Sequence, residues 1–345
     1  MQASPRITLK DIAARAGVHL STVSLALRDH PRIPQATRDR IRQAAAELSY
    51  EPDPMLSALA IYRDRSRPKV FHGTLAWLGN TTRDFNWRDS SHYSNYFKGA
   101  SHRARDYGFN VDIFDFSTPV TSPQRLSSIF RARNINGLLI CPHPTGYTGI
   151  DFPWSDSSLI TFGYSMVTMT SLRLNTVASA HYRNMRRAMR EVYKRGYRRV
   201  GLVIEAHTDM VCDYNISAAY MLEQSLSGER SIPVYRDLRE NHDGFKPWMK
   251  RHKVEVVITT QGYVRTLLEM EEISSGKVAL VNLTLPGGNS HVSGMIEDDA
   301  KIGSVAADLL IAAIHRGERG IPLEPRCTHL EGVWHEGKTL PGIAG

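Results

Sequence analysis

Residues 8–30 read TLKDIAARAGVHLSTVSLALRDH. Thr8 is of the type that caps a helix N-terminus, and Asp11, three positions on, sets a carboxylate near the positive end of the helix dipole. Leu9, Ile12, Ala13 and Ala16 fall at i, i+3, i+4 and i+7, a single apolar stripe. Gly17 ends the helix, since glycine takes a left-handed backbone at no steric cost. Val18 follows as the buried turn residue, and a second short helix over about 20–28 puts Val23 and Leu27 on one face. Pro31 and Pro34 punctuate the next loop. A third helix from about Gln35 then carries Ile41, Ala44, Ala45 and Leu48 at helical spacing. Three short helices with small residues at their crossings make a compact bundle, and two of them joined by a glycine turn have the helix-turn-helix layout.

The charge is concentrated in the same part of the chain. Residues 1–69 hold twelve Lys and Arg against seven Asp and Glu, a surplus of five within a chain of 345 residues whose total is +8. A basic module of this kind suits a polyanionic partner. A chain of this length divides into two or three domains. No apolar run approaches the length of a membrane span, and the opening MQASPRITLKD has no apolar secretory core, so a cytosolic location is expected. Cys141, Cys212 and Cys327 lie far apart without a CxxC pair, which favours free thiols over a disulfide or zinc site.

Residues 7–55, ITLKDIAARAGVHLSTVSLALRDHPRIPQATRDRIRQAAAELSYEPDPM, resemble the DNA-binding headpiece of the lactose-repressor (LacI/GalR) family of bacterial regulators. TLKDIA, AGV, STVS, ATR and AAELSYEP carry the likeness, in order and without a gap. The resemblance implies that Leu20, Ser21 and Leu25 face base edges in the major groove. It places Thr8 among the DNA-contacting positions, and His19, Thr22, Ser24, Arg28 and Thr37 near phosphates. Three departures bear on specificity. Family members commonly have arginine where Leu25 stands, and tyrosine or another larger residue at Leu20. His19 replaces the usual serine or threonine cap, so a less firmly started second helix is expected. Leucine cannot read guanine as arginine does, so packing of Leu20 and Leu25 on thymine methyls and DNA deformability are expected to supply the code.

The domain division expected is a headpiece over 1–52, a hinge helix and linker over 53–69, and a core over 70–345. In the resembling family the linker forms a short helix on operator DNA, and a leucine from each protomer wedges a central base step in the minor groove. The matching residue is Leu59. Leu56 and Ser57 depart from the usual alanine and arginine, and Arg63, Arg65 and Arg67 are placed to compensate at phosphates.

The core alternates strand-like and helix-like segments. GTLAWLG, NVDIFDF, LLIC, RVGLVIE, VEVVITT and KVALVNL are the strand-like runs. NYFKGASHRARDYGF, RLSSIFRARNIN, YRNMRRAMREVYKRG and KIGSVAADLLIAAIHRG are the helix-like ones. Such alternation predicts an α/β fold with parallel sheets covered by helices. This part resembles, more loosely, the two-lobed periplasmic-binding-protein-like effector core of the family. The lobes are expected over 70–165 with 294–327, and over 166–293 with 328–345. Ligands of open α/β sheets bind beyond the strand carboxyl ends, here near 80, 141–143, 163–164, 205–207, 260–261 and 282. The effector-site candidates are His92, Tyr93, His143, Tyr164, Gln261 and Asn282. Sugar-binding members typically show Asn-Asp where Gln261-Gly262 stands, Phe-Asp-Asp where Asn282-Leu283-Thr284 stands, and an arginine ahead of Ala218-Ala219-Tyr220. Losing that arginine and carboxylate removes charge-assisted bonds to a sugar, so the expected effector is a sugar-like or other metabolite rather than a typical sugar, or there is none.

An enzyme is the main rival class. HExxH, GxSxG and P-loop motifs are absent, and GGNSHVSG lacks the strand–glycine–helix context of a dinucleotide site. Cys141-Pro142-His143 at a strand end is more often structural than catalytic. No catalytic residue, metal or cofactor is therefore expected. A periplasmic solute-binding protein would lack the headpiece, and an architectural DNA protein would bind without sequence preference. The expected protein is a transcriptional regulator, a repressor by resemblance, binding a pseudo-palindromic operator as a homodimer under small-molecule control, with no membrane partner. The alternative is an effector-independent regulator whose core serves only dimerisation.

Overall fold

A computed structural model describes residues 7–27, 33–48, 50, 71–79, 81, 85–115, 122–142, 154–170, 172–236, 238–240, 242–287 and 290–342. The chain divides into two compact units, residues 1–70 and 71–345. The expected hinge helix and Leu59 lie outside the described residues.

In the first unit, α1 (Leu9–Ala16), α2 (Leu20–Ala26) and α3 (Gln35–Glu47) enclose Ile12, Ala13, Ala16, Val23, Ala26, Ile41, Ala44 and Ala45. Five of these eight are alanines, so helix axes approach closely around two isoleucines and a valine. Val18, Leu27 and Leu48 are half-buried at the rim. Gly17 adopts φ 64°, ψ 39° and its region closes α1 through Val18 N–H donating to Ala13 O at 3.1 Å. At the other end of α1, Thr8 N–H and Thr8 Oγ1 both donate to Asp11 Oδ2 at 2.7 Å. Arg15 on α1 reaches Glu47 on α3 at 2.8 Å.

In the second unit the alternation becomes two sheets. The first lobe contains β1 (Gly73–Gly79), α4 (Ser91–Asp106), β2 (Phe109–Asp115), α5 (Pro123–Ala132), β3 (Gly137–Ile140), β4 (Ser158–Phe162), α6 (Ser165–Met169) and β5 (Thr176–Ser179). The second contains α7 (His181–Lys194), β6 (Val200–Ile204), α8 (Ala206–Val211), α9 (Asn215–Ser227), β7 (Tyr235–Arg236), α10 (His242–His252), β8 (Val256–Thr259), α11 (Gln261–Leu268), α12 (Glu271–Ser274), β9 (Ala279–Leu285) and β10 (Ser293–Ile296). The chain then returns to the first lobe with α13 (Asp299–Arg316) and β11 (Cys327–Leu330), and ends in the second with β12 (Val333–His335). Strand order is β2-β1-β3-β4-β5-β11, all parallel, and β7-β6-β8-β9-β10-β12, with only β12 antiparallel. Central strands such as β3, β8 and β9 are buried along their whole length, as sheets covered on both faces require.

The lobe boundaries differ from those expected. β5 extends the first lobe to Ser179, beyond the expected limit at 165, and β10 and β11 move the later crossings to 297–298 and 331–332. TVAS and SGMI are four-residue strands that open on a polar residue, too short and too mixed to stand out as apolar runs.

All three crossings leave from strand carboxyl ends: β5, β10 and β11. The carboxyl ends of both sheets therefore gather at the crossings, which is where the cleft between the lobes begins. Helices α4 and α13 pack side by side in the first lobe. A Cβ built on Gly99 would fall 1.9 Å from Ala300 O, and one on Gly303 2.0 Å from Tyr96 O. Glycine is required there for backbone-to-backbone approach, and that approach brings the two helix N-termini together.

Candidate functional site

The headpiece presents α2 as its candidate reading surface. Leu20 is 38% exposed, and His19 and Ser21 are also exposed. Thr22, Ser24 and Leu25 are half-buried, as is Thr37 near the start of α3. Leu25 is thus less available than Leu20, which the sequence does not distinguish. Arg28 lies outside the described residues.

His19 does cap α2, contrary to the weak start expected from its residue type. Its Nδ1 accepts the Ser21 N–H at 3.4 Å and lies 2.8 Å from Ser21 Oγ. The ring nitrogen supplies the acceptor that a serine or threonine oxygen would have provided. Thr8 departs in the opposite sense. With its N–H and hydroxyl proton both given to Asp11, it has no donor left for a phosphate while this box is closed. Those two bonds hold the Asp11 carboxyl below its ordinary pKa.

At the cleft, the close packing of α4 and α13 sets His92 Nδ1 2.8 Å from Asp299 Oδ2. That bond raises the His92 pKa above 6.5 against the opposing effect of burial. Asp299 is buried, and its Oδ1 has no hydrogen-bond partner among the described residues. Tyr93 stacks edge-on to Phe85 at 6.0 Å and lies 6.1 Å from Tyr96, and burial pushes its hydroxyl pKa up. Below them, Trp77 contacts Trp87, Phe97 and Phe162, each at 5.3 Å between ring centroids. Tyr164, just after β4, places its hydroxyl 2.8 Å from His329 Nε2 and its ring 6.0 Å from that of His181. His143 lies outside the described residues.

In the second lobe Gln261 and Asn282 come together: Asn282 Nδ2 donates to Gln261 Oε1 at 2.6 Å, and Asn282 Oδ1 accepts Thr284 N–H at 3.0 Å. The loss of charged groups expected at these strand ends is partly made good from elsewhere. Arg236 meets the fully buried Asp209 at 2.8 Å, and Arg239 meets Glu205 at 3.4 Å.

A polar node joining the crossings was not foreseen from the sequence. Glu297 Oε1 accepts from the Ser179 hydroxyl and from Asn184 Nδ2 at 3.0 Å, and lies 3.3 Å from His181 Nδ1. Asn184 Oδ1 accepts Gly332 N–H at 2.9 Å. Burial lowers the His181 pKa, but Cys212 and Glu297 outweigh it and leave the imidazolium well above 6.5. Burial likewise raises Glu297, and His181 with its other donors outweighs that and holds the carboxyl below 4.5. The only hint in the sequence is IEDDAKIG, whose acids read as ordinary helix-start residues.

The headpiece geometry and the two-lobed parallel core define a class, and sequence comparison agrees: residues 8–53 match the family described as "Bacterial regulatory proteins, lacI family". That match covers the three helices of the first unit. The HTH-type transcriptional repressor CytR of Escherichia coli K12 is 25% identical over 214 residues, covering 61% of this chain. The match spans 57% of that relative's length. Among solved structures, the lac repressor dimer bound to operator and the anti-inducer ONPF aligns with TM-score 0.56 and 15% identity, covering 97% of this chain and 99% of that one. The transcriptional regulator CelR–cellobiose complex aligns with TM-score 0.56 and 18% identity, covering 97% and 100%. These structural likenesses concern the fold. Among the described residues no helix is long and apolar enough to cross a membrane.

Proposed function

We propose that this protein is a sequence-specific DNA-binding transcriptional regulator, a repressor, that binds a pseudo-palindromic operator as a homodimer. The observation that carries this is α2: a capped helix behind a left-handed glycine turn, with Leu20 and Ser21 exposed, inside the segment that matches the family. Leu20 and Ser21 meet base edges, with Leu25 in support. His19, Thr22, Ser24, Arg28 and Thr37 lie along phosphates, and Leu59 wedges the central step. Thr8 serves by holding the start of α1 rather than by donating to DNA. Two-fold symmetry of the protein then sets the two-fold symmetry of the site.

A small-molecule effector in the inter-lobe cleft controls operator affinity by changing the lobe arrangement. His92, Tyr93, Tyr164, Gln261 and Asn282 surround it at strand ends and helix starts, with His143 a further candidate. The test is selection from random duplex DNA by the full-length protein at near-physiological salt. A two-fold motif with a central pyrimidine–purine step is expected, and no enrichment at any salt would overturn the proposal.

A second reading has its own support. Gln261 with Asn282, and the two Arg–carboxylate pairs, satisfy one another within the second lobe, which suits a core that only dimerises. Operator affinity that stays constant across a broad metabolite panel favours that reading.

A further inference from the structure

Opposite the cleft, at the amino ends of β3 and β4, the first lobe holds a cavity of about 230 Å³. Phe130 and Ile135, both buried, give it an apolar wall. The rest of the lining is polar. Arg131 and Arg319 come to it from exposed positions, with Asn134 and Asn136. Ser127 and Ser157 lie deeper, 4% and 3% exposed. The local fold fixes these positions. Asn134 closes α5 in a left-handed conformation (φ 52°), and Ile135 N–H donates to Phe130 O at 2.8 Å. Asn136 and Ser157 immediately precede β3 and β4. Gly320 N–H donates to Ser157 O at 2.9 Å and the Ser158 hydroxyl donates to Glu318 O, so the turn that carries Arg319 is tied to the start of β4.

These donors are unmet. Among the described residues, neither guanidinium has an ion-pair or hydrogen-bond partner, and neither do the Ser127 and Ser157 hydroxyls or the Asn134 and Asn136 amides. The neighbouring arginines differ: Arg133 pairs with Asp112 and Arg316 with Glu318, each at 2.5 Å. Arg131 lies in the last turn of α5, where a cation suits the helix dipole. That accounts for one guanidinium, but not for a second from another element lining the same cavity. Buried hydroxyls left without a partner cost stability unless a ligand or water meets them. Asp156 is the one acid in the lining, and it accepts the Ser155 hydroxyl at 3.3 Å.

We propose that this cavity binds a small hydroxylated phosphate monoester, at a site separate from the effector cleft. A phosphate monoester carries a charge of about −1.5 to −2 at neutral pH, which matches two guanidiniums where a single carboxylate leaves one unmatched. Its three terminal oxygens accept from the planar guanidinium forks, the amides and the buried hydroxyls. Phe130 and Ile135 cover a short carbon chain, and Asp156 accepts from a ligand hydroxyl. The volume falls below the roughly 300–1,000 Å³ of drug-sized ligand sites, so a nucleotide or disaccharide phosphate is too large. The site uses first-lobe residues alone, so it stands whether or not the cleft binds an effector.

The experiment is calorimetric titration of the full-length protein at low ionic strength with glycerol 3-phosphate, beside inorganic phosphate and glycerol. Saturable binding of one glycerol 3-phosphate per chain is expected, with weaker binding of phosphate and none of glycerol. Arg131→Ala and Arg319→Ala, both at exposed positions, are each expected to weaken binding roughly tenfold to a hundredfold. Ser157→Ala changes no charge, and its expected severalfold weakening marks a built site rather than bare attraction. Parental affinity in both arginine variants would put the anion elsewhere, as on the basic headpiece, and overturn the site. Loss in those variants with parental affinity in Ser157→Ala would reduce it to charge attraction and overturn it too. No binding by the unmutated protein overturns it without needing any variant to fold. If the arginine variants then also lose affinity for duplex DNA, the guanidiniums serve backbone phosphates of DNA instead.

Discussion

Leu20 shows how much of DNA reading can rest on one apolar side chain. It cannot donate a hydrogen bond, but exposed at the start of α2 it can cover a thymine methyl. Leu20→Ala is therefore expected to weaken the thymine preference at one operator position by about 1 kcal/mol, the worth of roughly one buried methyl or methylene group. Leu25→Ala, at a half-buried position, is expected to cost helix packing as well as preference. Parallel selections with the two variants measure this, and unchanged motifs from both would sink the apolar code. His19→Ala removes the acceptor for Ser21 N–H and should destabilise α2 by about 1 kcal/mol, read as faster amide exchange at Ser21. Equal protection in variant and parent would mean the ring does not cap. The sequence identified these positions but not their states. Whether His19 accepts from Ser21, or Thr8 spends its protons on Asp11, depends on rotamers and distances, which residue type alone leaves open.

The contact between α4 and α13 shows the same limit one level up. Both helices were legible from their apolar periodicity, as were β1, β6, β8 and β9 from long apolar runs. Their pairing was not, because Gly99 and Gly303 look like ordinary weak helix positions until their neighbours are known. Each Cβ would collide with backbone rather than with a yielding side chain. Gly303→Val is expected to cost about 3 kcal/mol or more through forced separation, seen as a lower urea midpoint. It should also loosen the His92–Asp299 pair that this packing creates. A variant as stable as the parent would mean that the helices part freely. The short strands β5, β10, β11 and β12 escaped a reading based on apolar runs, since a strand of three or four residues of mixed polarity carries little periodic signal. The lobe boundaries were misplaced for that reason. Site partners were lost for a related one: His92 and Tyr93 stand out at a helix start, whereas Asp299 is 207 positions from His92 in sequence.

For the core unit as a whole, the three crossings meet at one carboxylate. Glu297 lies in the second crossing, bonds Ser179 and His181 in the first, and reaches the third through Asn184 and Gly332. Glu297→Ala would strand the His181 charge among buried groups, at a cost of about 3–5 kcal/mol. The pair also gives the core a pH signature. His181 has a raised folded pKa, so its stabilising contribution is complete below 6.5 and fades as pH climbs through the raised value. Glu297 has a depressed one, so its contribution is complete above 4.5 and fades as pH falls through the depressed value. Stability from this node is therefore level between 4.5 and 6.5 and declines on either side. Other carboxylates add their own acid dependence, so the informative quantity is the difference between parent and Glu297→Gln. That difference should be largest on the plateau, shrink toward low pH as Glu297 takes up its proton, and shrink again toward high pH as His181 loses its own. Urea unfolding across the range measures it. A difference independent of pH would mean that Glu297 acts through shape and hydrogen bonding alone, without the charge pairing that links the crossings.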